Sequence, residues 1–154
     1  MGVEIERKFL VRDERWKALG AGVPIQQGYL SSHPERIVRV RIEGASAVLT
    51  IKGRTVGAAR GEWEYPIPIE DARKFLADLC EKPLIEKIRY RILHVGMVWE
   101  VDEFSGENAG LVVAEIELDA EDQQFSKPDW IGDEVTHDSR YANANLRRNP
   151  FSNW

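Results

Sequence analysis

Charged side chains stand at every second position in the first stretch of the chain. Between Val3 and Val11, two acids and a base share this spacing: Glu4, Glu6 and Lys8. In an extended chain, alternate side chains point to the same face, so these three charges would share one face of a strand. Two like charges at this spacing repel each other unless cations lie nearby. The stretch therefore predicts a positive partner for the acids; a solvated strand with a surface salt bridge is the alternative.

The same spacing recurs along the rest of the chain. Paired acids are found at Glu62 and Glu64, Glu100 and Asp102, and Glu115 and Glu117. Bases are found at Arg39 and Arg41, at Lys87 and Arg89, and singly at Lys52. Carboxylate clusters suit Mg²⁺ or Mn²⁺, whereas arginine and lysine donors suit phosphate oxygens. A metal ion together with a chain of phosphates would satisfy both sets of charges.

Strands and a few helices must position these charges. Alternation predicts strands at Val3–Val11, Gln26–Leu30, Arg36–Glu43, Ala47–Lys52, Glu62–Tyr65, Lys87–Leu93, Val98–Phe104 and Leu111–Leu118. Helical spacing predicts a packing helix at Ile69–Cys80, with Ile69, Ala72, Phe75, Leu76 and Leu79 on its apolar stripe, and shorter helices at Arg12–Leu19, Asp119–Phe125 and Tyr141–Arg148. Pro128–Gly132 is predicted to be a loop. The fold class is α+β.

The charged faces could line either the outside or the inside of such a sheet. An outward charged face would give an ordinary antiparallel barrel with an apolar interior. Two features favour the inward arrangement. These positions are nearly all charged rather than mixed polar, and the opposite faces carry large residues such as Phe9, Trp63, Tyr65 and Tyr90, which helices could cover. A closed sheet of about eight strands can hold one small ligand.

Bulk properties limit the class of protein. The 154 residues fit a single domain spanning 1–154, with 43% hydrophobic and 31% charged residues. A net charge of -5 argues against a nucleic-acid surface. Cys80 is the only cysteine, so an internal disulfide is impossible, and no apolar run is long enough to span a membrane. A cytoplasmic protein without membrane or nucleic-acid partners is expected; the sequence leaves the oligomeric state open, including a homodimer.

The first strand resembles a known signature. Glu4-Ile5-Glu6-Arg7-Lys8 is similar to the ExExK motif of the CYTH superfamily, the triphosphate tunnel metalloenzymes. Further motifs stand in the family's order: Arg39-Val40-Arg41, Thr50-Ile51-Lys52, Glu62-Trp63-Glu64, Lys87-Ile88-Arg89, Glu100-Val101-Asp102 and Glu115-Ile116-Glu117. The chain length and Gln27-Gly28-Tyr29-Leu30 most resemble the compact bacterial branch that hydrolyses inorganic triphosphate. The resemblance implies a closed eight-stranded antiparallel tunnel with flanking helices.

The resemblance also implies roles for individual residues. Triphosphate would be held by Lys8, Arg39, Arg41, Lys52, Lys87 and Arg89. One or two Mg²⁺ or Mn²⁺ ions would be held by Glu4, Glu6, Glu62, Glu64, Asp102, Glu115 and Glu117. The candidate catalytic residues are Glu4, Glu6, Lys8, Tyr29 and Lys87. Which acid holds which ion, and how the C-terminal helix closes the tunnel, stay open.

Hydrolysis of inorganic triphosphate to phosphate and diphosphate is the leading functional hypothesis. The alternatives are a CYTH-type adenylyl cyclase, a hydrolase of an organic triphosphate such as thiamine triphosphate or a nucleoside triphosphate, and a non-catalytic polyphosphate-binding module. An organic substrate should require an aromatic or apolar pocket at one mouth of the tunnel, and the sequence shows no obvious one. A binding module would not require so many acids.

Overall fold

The computed structural model describes residues 2–154. It contains nine strands: β1 (Gly2–Val11), β2 (Gly22–His33), β3 (Arg36–Glu43), β4 (Ser46–Lys52), β5 (Ala59–Pro66), β6 (Ile85–His94), β7 (Met97–Phe104), β8 (Val112–Glu117) and β9 (Ile131–Glu134). Helix α1 (Ile69–Lys74) continues into a π-helical turn (Phe75–Leu79), and α2 (Asn143–Arg148) lies near the C-terminus. Short 3₁₀ turns lie at Arg15–Ala18, Gly106–Asn108, Ser139–Tyr141 and Phe151–Asn153. No helix within residues 2–154 is long and apolar enough to cross a membrane.

Eight of the strands form a closed ring. Their order is β5-β4-β3-β2-β6-β7-β8-β1, and β1 pairs back with β5. Every neighbouring pair is antiparallel, so the predicted eight-stranded antiparallel tunnel is confirmed. The ring closes because β1 is long enough to pair twice: its start lies against β5, and its middle against β8. The ninth strand pairs with the end of β1.

Tight turns and one glycine allow the ring to close. The β6–β7 turn has Val95 and Gly96 at φ 49° and 75°, the left-handed conformation that two-residue hairpins require. Gly28 in β2 faces outward, where a Cβ would lie 2.9 Å from the Cys80 Cβ. The end of the π-helical turn therefore lies close to the outer face of β2 at Gly28. Because side chains alternate along a strand, Gln27 and Tyr29 point to the inner face.

Apolar side chains on the outside of the ring are covered by helices and loops. One cluster joins Phe9 and Trp99 to Trp16 from the first 3₁₀ turn and to Trp130 from the loop before β9. A second cluster lies under α1 and contains Val40, Ala47, Ala72, Leu76 and Cys80. The inward-charged arrangement of the strands therefore leaves an outer apolar surface that the rest of the chain buries in these two clusters. The cover is incomplete, because Tyr65 on the outer face of β5 is 52% exposed.

A third apolar cluster lies inside one end of the ring. The inward charges of β3, β6, β7 and β8 each have an apolar residue two positions away, and these residues pack with Tyr29 and with the C-terminal segment. We call this cluster the apolar plug: Tyr29, Ile37, Ile85, Phe104, Val113, Tyr141 and Leu146. The C-terminal segment around α2 thus packs into one end of the tunnel through Tyr141 and Leu146.

Four sequence-based expectations about the elements are wrong. Asp119–Phe125 forms bends and a turn rather than a helix, because Gln123 accepts from the Asp119 backbone N–H and Phe125 packs against the outer cluster. The predicted loop Pro128–Gly132 contains the start of β9. Strand β2 is longer than Gln26–Leu30 because its start pairs with β6. Leu79 is 62% exposed, since the π-helical turn brings Cys80 to the sheet instead.

Candidate active site

The ring encloses a cavity of about 440 Å³ with two opposed charged sides. Inward cations of β3 and β6 form what we call the basic wall: Arg39, Arg41, Lys87 and Arg89. Inward acids of β8, β1 and β5 form the acidic wall: Glu4, Glu6, Glu62, Glu64, Glu115 and Glu117. The strand order explains the separation, because β3 and β6 both flank β2, whereas β8 and β5 both flank β1.

Asp102, on the neighbouring strand β7, binds the two cations that β6 contributes to the basic wall. Its Oδ2 lies 2.8 Å from the Lys87 Nζ, and its Oδ1 accepts from the Arg89 Nε at 2.7 Å. Burial alone would raise the pKa of Asp102, but the two cations lower it well below its usual range. Burial lowers the pKa of Lys87, with Arg89 adding to the effect. One carboxylate therefore holds two buried cations in place.

The two arginines of β3, Arg39 and Arg41, have fewer protein partners for their charge than Lys87 and Arg89 have. The Arg39 Nη2 donates to the Thr50 Oγ1 at 3.1 Å, whereas its buried Nε has no hydrogen-bond partner within the described residues. The Arg41 Nε donates to the Gln27 Oε1 at 3.0 Å. Desolvation, followed by the nearby Arg39 and Arg89 charges, lowers the pKa of Arg41 to about 10. Both arginines therefore face the cavity with positive charge that forms no ion pair within residues 2–154, which suits an anionic ligand.

Two lysines balance part of the acidic wall. The Lys52 Nζ lies 2.9 Å from the Glu4 Oε1 and 3.3 Å from the Glu62 Oε2. The Lys8 Nζ lies 3.8 Å from the Glu6 Oε1. Burial would lower the pKa of Lys8, but the surrounding acids, led by Glu6, raise it. Lys8 therefore stays charged, and both lysines lie on the acidic side of the cavity.

Two pairs of acids face each other on neighbouring strands, although Glu100 of one pair also contacts Arg89 and Arg91. Glu6 and Glu117 are direct cross-strand partners, and so are Glu100 and Glu115. Like charges in such positions destabilise a sheet. Desolvation, followed by the charges of Glu4, Glu62 and Glu6, raises the pKa of Glu117 to about 7. The acidic wall therefore carries an excess of negative charge.

This donor set fits a hard divalent cation. Carboxylate oxygens are the ligands that Mg²⁺ and Mn²⁺ prefer, and an ion here would relieve the repulsion between Glu6 and Glu117. No three metal-binding side chains within residues 2–154 already converge on one point, since Lys8 and Lys52 engage several of the acids. Metal binding by Glu4, Glu6 or Glu62 would therefore exchange a lysine contact for a metal contact.

The structure brings nearly all predicted site residues to the cavity. Those lining it are Glu4, Glu6, Lys8, Tyr29, Arg39, Arg41, Lys52, Glu62, Glu64, Lys87, Arg89, Glu115 and Glu117. The exception among the described residues is Asp102, which is 0% exposed and already bound to two cations. Its assignment as a metal ligand stays a prediction, and its position instead makes it the counter-ion of the basic wall.

Lining or supporting residues missed from the sequence include Arg60, Gln27 and Asn143. Arg60 lies opposite Glu4, and its side chain donates to the Gly53 carbonyl at 2.7 Å. Arg60 stands two positions before Glu62, so the every-second-residue pattern could have predicted that Arg60 faces the cavity. Gln27 and Asn143 bind cations of the basic wall, but an uncharged amide in a strand and another in a C-terminal helix gave no such signal.

A closed antiparallel ring with a basic wall facing an acidic wall defines a charged-tunnel protein. The chain belongs to the CYTH domain family, whose model matches residues 2–148. An inorganic triphosphatase of Acetivibrio thermocellus is 52% identical over 154 residues, covering 100% of this chain and 99% of that protein. An inorganic triphosphatase of Nitrosomonas europaea is 39% identical over 147 residues, covering 93% and 95% respectively. The crystal structure of the inorganic triphosphatase NE1496 matches with a TM-score of 0.63 and 36% identity, covering 93% of this chain and 96% of that chain.

Proposed function

We propose that this protein is a divalent-metal-dependent inorganic triphosphatase, which hydrolyses triphosphate to phosphate and diphosphate inside the ring. The observation that carries the proposal is the basic wall facing the acidic wall across the cavity of the ring. Relatives that cover essentially the whole chain are inorganic triphosphatases, which supports the same substrate. A linear triphosphate has the charge, length and oxygen-only surface that such a cavity suits.

The basic wall would bind the phosphate chain. Arg39 and Arg41 present guanidinium donors with little protein counter-charge, and Arg89 and Lys87 are held rigidly by Asp102. Charge-assisted hydrogen bonds to phosphate oxygens are strong and directional, especially from arginine. Because these donors are fixed before the ligand arrives, they would stabilise the charge on the leaving diphosphate with little reorganisation.

The acidic wall would hold one or two Mg²⁺ or Mn²⁺ ions. The residues proposed for this role are Glu4, Glu6, Glu62, Glu64, Glu115 and Glu117. When bound, such an ion neutralises phosphate charge and lowers the pKa of a coordinated water, which supplies the nucleophile. We assign Asp102 to the support of Lys87 and Arg89, since both of its oxygens already accept from them.

Lys8 and Tyr29 complete the proposed catalytic set with Glu4, Glu6 and Lys87. Lys8 is a protonated cation between acids, so it can donate to a phosphate oxygen on the side opposite the arginines. The Tyr29 hydroxyl accepts from the Gln27 Nε2 at 3.1 Å, which leaves its own proton free to donate into the cavity that it lines. Glu4 and Glu6 would orient the attacking water.

We further propose that the CYTH domain is the only domain in residues 1–154. The family match over residues 2–148 supports this, and the segment 149–154 packs on the domain through Phe151 and Trp154. Cys80 is a buried free thiol, which fits a reducing compartment, and we propose the cytoplasm.

A phosphate-release assay tests the activity. Purified protein is given inorganic triphosphate, ATP or thiamine triphosphate, each with Mg²⁺, Mn²⁺ or EDTA. We expect the fastest phosphate release from inorganic triphosphate and none with EDTA. Faster release from an organic triphosphate, or formation of cyclic AMP from ATP, would replace the proposed substrate. Triphosphate binding without release would identify a binding module.

Paired substitutions in the two walls separate the two roles. Glu6→Gln should lower kcat at least about 100-fold by weakening metal binding, since metal stabilisation of charge is worth several kcal/mol. Arg41→Ala should mainly raise KM, by about 10- to 100-fold, because it removes one charge-assisted donor. Unchanged kinetics in both variants would contradict the assignment of the walls.

A further inference from the structure

Two uncharged amides connect the cations of the basic wall. The Gln27 Oε1 accepts from the Arg41 Nε at 3.0 Å, and the Gln27 Nε2 donates to the Asn143 Oδ1 at 3.2 Å. The Asn143 Oδ1 also accepts from the Lys87 Nζ at 2.9 Å. A continuous chain of hydrogen bonds therefore runs from Arg41 to Lys87 through one strand residue and one helix residue.

The neighbours fix the orientation of both amides. Arg41 and a protonated Lys87 have donors but no acceptor, so the oxygens of Gln27 and Asn143 must face them. The Gln27 Nε2 then has two hydrogens, one for Asn143 and one for the Tyr29 hydroxyl at 3.1 Å. Turning either amide by half a rotation would place a donor against a cation. The network therefore has one arrangement and holds Arg41, Lys87 and Tyr29 together.

Packing fixes where the two amides lie. Gln27 is fully buried, and it faces inward because Gly28 presses against Cys80 on the other side of β2. Asn143 is the first residue of α2, between Tyr141 and Leu146, which are both buried in the apolar plug. The C-terminal segment thus supplies Lys87 of β6 with a second acceptor, in addition to Asp102 of β7.

We propose that Gln27 and Asn143 are positioning residues for triphosphate binding: through the hydrogen-bonded amide chain, they hold Arg41, Lys87 and Tyr29 in the orientation that meets the phosphates. The inference rests on the proposed function and assigns no chemistry to the amides themselves. It also gives the C-terminal segment a role in the site beyond closing the tunnel end, because Asn143 depends on the plug for its place.

Kinetics of Gln27→Leu and Asn143→Ala test the proposal. Each variant should raise KM for inorganic triphosphate by about 10- to 100-fold, because Gln27→Leu removes the acceptor of the Arg41 Nε–H and Asn143→Ala removes one of the two acceptors of the buried Lys87. Since both residues belong to one chain, the double variant should be close to the worse single variant rather than to the product of the two. Effects that multiply, or a KM within about twofold of wild type in both single variants, would overturn the proposal, given the tenfold loss expected for one hydrogen bond to a charge.

Matched controls separate positioning from general damage. Gln26→Leu changes the neighbouring amide on the outer face of β2, where it binds Glu86, and Asn149→Ala changes the other end of α2. Both should keep wild-type KM. Thermal unfolding is followed for all variants, and a KM change in Gln27→Leu or Asn143→Ala that merely parallels loss of the folded protein would count against positioning.

A spectroscopic measurement keeps the inference separate from the proposed function. The hydrogen-bonded Nε–H of Arg41 should exchange slowly with water in the metal-free, ligand-free protein, and Arg41→Lys assigns its ¹H–¹⁵N signal. Gln27→Leu should speed this exchange, whereas Gln26→Leu should not. Equal exchange in both variants would overturn the proposed amide chain, whatever the enzyme activity. If exchange is faster in Gln27→Leu but the wild-type protein does not hydrolyse triphosphate, only the proposed function is contradicted.

Discussion

The two walls of the cavity use charge in opposite ways. On the basic wall, Asp102 binds Lys87 and Arg89 at hydrogen-bond distance, and two amides join Lys87 to Arg41. On the acidic wall, Glu6 and Glu117 lie directly opposite each other on paired strands, with no cation bound to Glu117 in the part of the chain that the structure describes. One wall is held by its own contacts, and the other carries repulsion.

This difference indicates which half of the site is complete in the protein itself. Fixed donors suit an anion whose shape does not change, and such preorganisation avoids reorganisation during the reaction. Opposed carboxylates cost stability, and they are tolerated where an added cation removes the repulsion. The basic wall is therefore formed by folding alone, whereas we expect the acidic wall to reach its final arrangement only with a metal ion.

Asp102→Asn should show the largest effect. The substitution keeps the side-chain shape but leaves Lys87 without a counter-ion within residues 2–154 and Arg89 with Glu100 alone, at 3.3 Å. Breaking a buried pair in this way costs about 3–5 kcal/mol. The free energy of unfolding is measured by urea titration with tryptophan fluorescence, since Trp16 and Trp99 are fully buried. A polyanion supplies the missing charge, so inorganic triphosphate should raise the melting temperature more in Asp102→Asn than in wild type.

Asp133, an exposed acid of β9, supplies the control for this experiment. Asp133→Asn removes one negative charge from an exposed position and should change stability little. If Asp102→Asn were as stable as Asp133→Asn, the basic wall would not depend on its buried carboxylate, and the contrast between the walls would fail.

Glu117→Gln should have a smaller effect of the opposite sign. Removing one of the two opposed acids relieves cross-strand repulsion, so the metal-free protein should gain up to about 1 kcal/mol. The same change removes a proposed metal ligand, so the rise in melting temperature with Mg²⁺ or Mn²⁺ should shrink. Glu107→Gln, at an exposed 3₁₀ turn, should alter neither quantity. A metal-free Glu117→Gln protein that melts below wild type would contradict the repulsion.

The charged interior could be predicted because its physical signal is local. Inward side chains recur with period two, so Arg39 and Arg41, or Glu115 and Glu117, identify a shared face within three residues of sequence. The same period also marks the apolar plug, since Ile37 precedes Arg39 by two positions on the same inner face. The spacing was visible in the sequence. Spacing alone, however, does not distinguish an apolar residue inside the ring from an apolar residue on the outer face that a helix covers.

Features fixed by distant contacts could not be predicted. Phe125 packs against Phe9 and Trp99 with ring centroids 6.1 and 5.9 Å apart, and this packing holds an extended segment where acids and spacing favoured a helix. Strand β9 has only four residues, too few for alternation to show. Asn143 reaches Lys87 across 56 positions of sequence, and no pattern in either stretch indicates the contact.

The smallest expected effect lies outside the ring, on the same strand as the acidic wall. Arg7 points outward between Glu6 and Lys8, and its Nε and Nη2 donate to Glu134 at 2.6 Å each. The hydrogen bonds from Arg7, followed by one from Thr136, lower the pKa of Glu134 to about 2. A lowered folded-state pKa means that the pair stabilises the fold above the ordinary value of 4.5 and that this contribution is lost as pH falls towards 2.

Glu134→Gln should therefore cost no more than about 1 kcal/mol near neutral pH, because the pair is partly exposed. The difference in unfolding free energy from wild type, measured by urea titration between pH 7 and pH 3, should stay constant above pH 5 and shrink below it. A difference that grows on acidification would contradict the assigned ion pair. A cost at neutral pH as large as that of Asp102→Asn would remove the distinction between outer and inner charges. A small cost would support the view that the outer ion pair of β1 contributes little to stability. The inner acids of β1 would then differ from it, because they serve ligand binding despite their repulsion.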